Sequence, residues 1–128
     1  PRELEGDREL GPFRIEIRIQ PQHPGKTIAV KVDGRLVYCT DTAYDAENIG
    51  FARGASILLH ESFWPGDMTD DPSHTAGGEA GRLAAESGVE RLVLVHINPE
   101  GCDDDELATS ARAHFAASEV GRDGLVVM

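Results

Sequence analysis

Two runs rich in apolar and β-branched residues, 27–32 and 35–40, are separated by Asp33-Gly34. An Asp-Gly pair between such runs is the strongest short-range hairpin signal. A two-residue primed turn needs positive φ at its central positions, and these residues accept it at little cost. Upstream, Phe13-Arg14-Ile15-Glu16-Ile17-Arg18-Ile19 alternates apolar and charged residues without a break, which is the period of a half-buried strand. Pro21-Gln22-His23-Pro24-Gly25 reads as a turn-rich loop, and residues 1–11 as a polar loop or frayed end. A chain that opens this way has to be built around a sheet.

The remainder alternates helix and strand. Residues 45–53 read as a short helix ending near Gly54, and Ile57-Leu58-Leu59 as a short buried strand. Residues 63–73 contain the breakers Pro65, Gly66 and Pro72 and read as irregular. A helix follows over about 76–87, with Thr75 as N-cap and Gly88 at the C′ position. Its glycines, Gly77, Gly78 and Gly81, weaken it intrinsically but permit close packing on a sheet. Leu92-Val93-Leu94-Val95 centres a strand over 91–97. Asp103-Asp104-Asp105-Glu106 opens a helix running to about residue 118, and residues 124–128 read as a final strand. The acidic run suits a helix N-terminus and lacks the spacing of a calcium loop. This order gives an α/β fold with helices covering one sheet face.

The chain has 128 residues, enough for one domain with a real core and too few for two. A net charge of −11 argues against a generally basic nucleic-acid-binding surface, though bound metal ions could still supply positive charge to a phosphodiester substrate. No apolar run is long enough to span a membrane and no secretory pattern opens the chain, which begins with Pro1 rather than Met. The expectation is a cut or processed cytoplasmic chain. Cys39 and Cys102 lie far apart and outside any CxxC unit, so a zinc–thiolate site is not expected. Cys39 falls in an apolar run and reads as a small packed hydrophobe.

Chemistry concentrates near the strand ends. Asp41 follows the run 36–40, His96 follows 92–95, and His23 lies just before 27–32, while His74 precedes a helix. A strand fixes the backbone and its end frees the side chain, which is how histidine and aspartate are arranged around metals. Each residue also has a plainer reading. Asp41 suits a turn, His96 a buried imidazole satisfied by backbone, His23 an exposed loop, and His74 a helix start.

His60 and Glu61 follow a buried strand and are expected to make supporting hydrogen bonds. His114 falls in the middle of an expected helix, on the surface or packed. Phe63 and Trp64 sit in the breaker-rich loop, where aromatics line a mouth or, more commonly, plug a core.

The order His23-Pro24-Gly25, Tyr38-Cys39-Thr40-Asp41-Thr42, Leu58-Leu59-His60-Glu61, Ser73-His74-Thr75-Ala76 and Leu92-Val93-Leu94-Val95-His96-Ile97 resembles the metallo-β-lactamase-fold hydrolases. It looks most like the branch with ribonuclease Z and related phosphodiesterases, over nearly the whole chain from about Gly11. The resemblance implies a four-layer αββα fold with a metal pair held between two halves. It makes Asp41 the bridging carboxylate, His23 and His96 the flanking ligands, and His74 an acid or phosphate-stabilising group.

The family's main signature, HxHxDH, is absent from these residues, so the chain resembles the C-terminal half of such an enzyme, a single half-domain over 1–128. Ser56 stands where ribonuclease Z-like members often carry aspartate, a departure that bears on tRNA processing and not on fold.

The expected function is therefore that of part of a zinc-dependent hydrolase, two ions in the complete enzyme, acting on a phosphodiester and inactive or nearly so alone. The rivals are a lactamase- or thioester-type hydrolase of the same fold, and a non-catalytic half-domain. In the last case an exposed sheet face would bind the missing half, a partner chain or a second copy.

Overall fold

The computed structural model describes residues 6–127. Seven strands form one sheet in sequence order: β1 (Arg8–Leu10), β2 (Phe13–Gln20), β3 (Thr27–Val32), β4 (Leu36–Cys39), β5 (Ile57–Glu61), β6 (Arg91–Val95) and β7 (Ser118–Val120). The first three pairings are antiparallel and the last three parallel. The change falls where the connections change. Tight turns join the first four strands, and Asp33 takes φ 52° and Gly34 φ 67° in the hairpin their pairing foretells. Each parallel pairing needs a crossover, and each crossover carries a helix: α1 (Glu47–Ala52), α2 (Gly77–Ser87) and α3 (Asp104–Arg112).

Parallel crossovers share one hand, and here every new strand is added on the same side of the last. All three helices therefore fall on one face. That face holds the core. Val37, Cys39, Leu58, Leu92 and Leu94 from the sheet meet Ala52 of α1, Ala80, Leu83 and Ala84 of α2, and Leu107 and Ala111 of α3, all fully buried.

The α2 glycines allow close approach not to the sheet, as the sequence suggests, but to α3 and to the loop that precedes α2. A Cβ on Gly81 would lie 2.4 Å from the Ala111 carbonyl oxygen, and one on Gly78 2.5 Å from that of Asp67. The opposite face carries a row in register, Ile17, Val30, Tyr38, Leu59 and Val93, with no helix over it.

Four boundaries differ from the sequence reading. Residues 8–10 are a strand rather than loop, because Gly11 takes φ 59° and folds them back on β2 with Leu10 opposite Phe13; residues 1–5 lie outside the described part. The cap of α2 is Ala76, whose N–H donates to Glu79 Oε2 at 2.9 Å; Thr75 is held elsewhere. Helix α3 stops at Arg112, because residues 118–120 are drawn into the sheet beside β6, overriding the helical preference of the Ala116-Ala117 stretch. His114 consequently lies beyond the helix.

The last strand is accordingly β7. Residues 122–125 turn instead, with the Leu125 N–H on the Arg122 carbonyl and Gly124 at φ 80°, and Met128 lies outside the described residues. Both cysteines are free. No described helix is long and apolar enough to cross a membrane.

Candidate active site

The parallel strands end together. Cys39, His60 and Leu94 are in register, as are Glu61 and Val95. Residues just past these ends therefore gather at one edge, which is where open α/β sheets carry ligands. Asp41 follows β4, Phe63 follows β5 and His96 follows β6.

His96 takes φ 51°, and it and the hairpin residue Asp33 are the non-glycine residues with positive φ among those described. A left-handed backbone is unfavourable for a side-chain-bearing residue and persists where surrounding structure imposes it, often at functional sites. Here it turns the chain sharply at the strand end. The His96 ring Nδ1 then lies 3.5 Å from Asp41 Oδ1, both side chains partly exposed.

The His23 loop is tied to the Asp41 loop. The Gln22 carbonyl accepts the Ala43 N–H at 2.7 Å and the Thr42 hydroxyl at 3.4 Å. His23 Nδ1 accepts the Gly25 N–H at 2.9 Å, which leaves the ring proton of the neutral form on Nε2. Its ring centroid is 6.3 Å from that of His74.

Glu61 organises the centre. Wholly buried, it accepts the N–H groups of Thr42, Phe63 and Thr75, each at 3.1 Å, and its Oε1 lies 2.7 Å from His74 Nδ1. Burial pushes its carboxyl up to about 7, opposed by the His74 contact first and then by the Thr75 and Thr42 N–H groups. His74 sits three residues ahead of α2. It is therefore not part of the helix, and its ring is held by the Glu61 carboxylate instead.

Phe63 completes the cluster. Its ring stacks on His74 at 4.3 Å with 17° between planes and lies 5.6 Å from His96, while His74 and His96 stack at 5.4 Å. Trp64 abuts Phe63 edge-on at 5.1 Å and donates from Nε1 to Asp71 at 2.9 Å.

His60, one residue before Glu61, faces the core instead. Its Nδ1 must donate to the Glu61 carbonyl at 2.6 Å, since that oxygen can only accept, and Nε2 is buried without a protein partner. Burial pulls its imidazole down to about 4. A cavity of about 430 Å³ lies beside His96 on the uncovered face, with Leu59, Val93 and Val95 as floor and Leu125 and Val127 as wall.

The structure thus brings together His23, Asp41, His74 and His96, the four residues singled out in the sequence. It leaves His114 apart, on Asp67 at 2.6 Å. Sequence reasoning underrated Phe63, for which nothing local distinguishes core plug from site wall, and gave Glu61 only a supporting role.

Imidazole and carboxylate at an open, strained strand end fit a divalent metal, and Asp41 and His96 form such a pair, 3.5 Å apart and partly exposed. His23 fits once it gives up the Gly25 N–H. Among the described residues no three His, Cys, Asp or Glu side chains are close enough together to hold an ion.

Comparison with known proteins identifies the family and the fold. The description "Beta-lactamase superfamily domain" matches residues 9–97. The chain is 34% identical over 100 residues to ribonuclease Z of Synechococcus sp. (strain WH7803), covering 72% of this chain and 31% of that protein. It is 33% identical over 115 residues to that of Synechococcus sp. (strain CC9311), covering 84% and 34%.

The metallo-beta-lactamase fold protein YhfI from Bacillus subtilis superposes with TM-score 0.85 at 29% identity, over 93% of this chain and 50% of YhfI. The chain therefore spans about a third of the length of these curated relatives. The chain belongs to the beta-lactamase superfamily, in its metallo-β-lactamase-fold, ribonuclease Z-like branch.

Proposed function

We propose that this chain carries one half of the centre of a metal-dependent hydrolase that cleaves phosphodiester bonds. The observation that carries the reading is the convergence of Asp41, His96 and the Glu61-backed His74 at the ends of β4, β5 and β6. Asp41, His96 and His23 would hold zinc together with ligands supplied from outside these residues. Such ions supply Lewis-acid polarisation of a phosphoryl oxygen and an acidified water.

The chain's own residues do the rest. In the imidazolium form of His74, Nδ1–H donates to Glu61, and Nε2–H is left to protonate the departing oxygen. Glu61 fixes that division of labour because its other contacts are backbone N–H groups that cannot move away. The uncovered sheet face would pack against the rest of the same fold, or against a second copy where that is missing. Two free thiols suit a reducing cytoplasm.

The test is metal-dependent cleavage of bis(p-nitrophenyl) phosphate by the product of the complete reading frame that contains these residues. An HxHxDH segment is expected upstream of Pro1. His74→Ala should lower kcat by about 10²–10⁴-fold, the usual contribution of a general acid. A folded His74→Ala enzyme with unchanged kcat would remove the assignment.

The exposure of Ile19 and Tyr38 favours a second reading, in which the chain is a non-catalytic module that self-associates. A monomer at high concentration in light scattering counts against the module, and the phosphodiesterase assay above separates the two readings.

A further inference from the structure

We infer that Phe63 is a positioning residue for His74, an inference that rests on the role proposed for His74 above. One hydrogen bond does not orient an imidazole. The contact from Nδ1 to Glu61 Oε1, 2.7 Å, fixes where that nitrogen lies, but the ring can still swing about the bond. A second restraint has to act on the ring plane, and the Phe63 stack supplies it at 4.3 Å and 17°.

Phe63 can act as a fixed wall because it is itself held twice. Its N–H donates to Glu61 Oε2 at 3.1 Å, and the edge of Trp64 closes on its ring at 5.1 Å and 85°. Trp64 is anchored in turn through Nε1 to Asp71. Glu61 therefore grips both the imidazole and the backbone of the residue that stacks on it. The two restraints move together, and Nε2 is aimed by a rigid unit. The same ring lies 5.6 Å from His96, so it also keeps the two imidazoles in their near-parallel arrangement, 23° apart.

The test uses this chain with ¹⁵N-labelled histidine, free of added metal. Long-range ¹H–¹⁵N spectra give the ratio of Nδ1–H to Nε2–H tautomers of His74, alongside amide exchange of Thr75, whose N–H bonds the same carboxylate. In Phe63→Leu the tautomer ratio should fall about fivefold, the equivalent of one ordinary hydrogen bond. Phe63→Tyr should restore it, with Thr75 exchange unchanged throughout.

An unchanged ratio in Phe63→Leu, or a Thr75 amide that loosens in step, makes Phe63 merely structural and overturns the inference. If Phe63→Leu does not fold, the wild-type chain decides. Nuclear Overhauser contacts between the Phe63 ring and both carbon-bound His74 ring protons are expected, and their absence overturns it. None of these readouts depends on catalysis, so a dispensable His74 in the complete enzyme would sink the functional reading while leaving this one standing.

Discussion

The two faces of the sheet are covered unequally. On the helix side Val37, Leu58, Leu92 and Leu94 are wholly buried; on the other side Ile15, Ile57 and Val93 are buried too, but Ile19 is 67% and Tyr38 37% exposed. The alternation of β2 points the wrong way, since its isoleucines lie on the face without helices while Arg18 reaches Asp45, Glu47 and Asn48 on the α1 side. Topology decides: one hand of crossover, repeated in one direction, sends every helix to the same side. What is left is an apolar surface that a monomer in water does not usually keep bare. The candidate site lies at the end of the strands where the covered and bare faces meet, so it too is half enclosed.

The largest expected effect lies on the covered face. Leu94→Ala should cost about 2–5 kcal/mol by urea denaturation, because the side chain is wholly buried between helices and sheet. The same measurement on Ile19→Ser should show less than about 0.5 kcal/mol. Equal costs would mean that the second face is covered in solution, and the contrast between the faces would fail.

Next comes the site edge. Glu61→Ala strands three backbone N–H groups and the His74 ring, and should cost about 3 kcal/mol. A neutral outcome would mean that water replaces the carboxylate and that this edge is wetter than its burial indicates.

Adjacent residues on opposite faces also give opposite pH dependence. Glu61 has its native carboxyl raised from 4.5 to about 7, so the stability it contributes is present below about 4.5 and is lost as pH rises through about 7. His60 has its native imidazole lowered from 6.5 to about 4, so its contribution is present above 6.5 and is lost as pH falls through about 4. Between 4.5 and 6.5 the two oppose each other, and the wild-type profile should be shallow. Glu61→Gln should expose the His60 slope, a loss of about 1–3 kcal/mol on acidification from 6.5 to 4. A profile unchanged by Glu61→Gln would place the Glu61 carboxyl near its ordinary range. The smallest effect on stability, and the most specific to the bare face, is that Ile19→Ser should weaken self-association in light scattering at high concentration, while the unfolding midpoint measured on dilute monomer stays unchanged.

Strands β2, β3 and β4 were legible because period-two alternation and Asp33-Gly34 are local signals, whereas β1 was not, since three residues carry no period and only the turn at Gly11 pairs them with β2. The glycines of α2 were legible as a close-packing device, but their partner was not: they meet α3 and the Asp67 loop rather than the sheet. The end of α3 was not legible: residues 113–118 have ordinary helical propensity, and only pairing with β6 makes 118–120 extended.

The site divides the same way. Asp41 and His96 could be picked out because each ends an apolar run, and the order of motifs named their relatives. Phe63 could not, since its role depends on a stack with a residue eleven positions away. The opposed environments of His60 and Glu61 follow from strand alternation, but which of them met the core depended on where the helices fell.

The claim that the strand ends hold part of a metal centre is tested most directly by zinc titration of this chain, followed through the histidine ring nitrogens. Weak binding is expected, with His96 perturbed first and His60 and His114 untouched. Asp41→Ala and His96→Ala should each lower the affinity about tenfold or more, some 1.4 kcal/mol apiece. Identical binding by wild type and both variants, or a first response at His114, would contradict it.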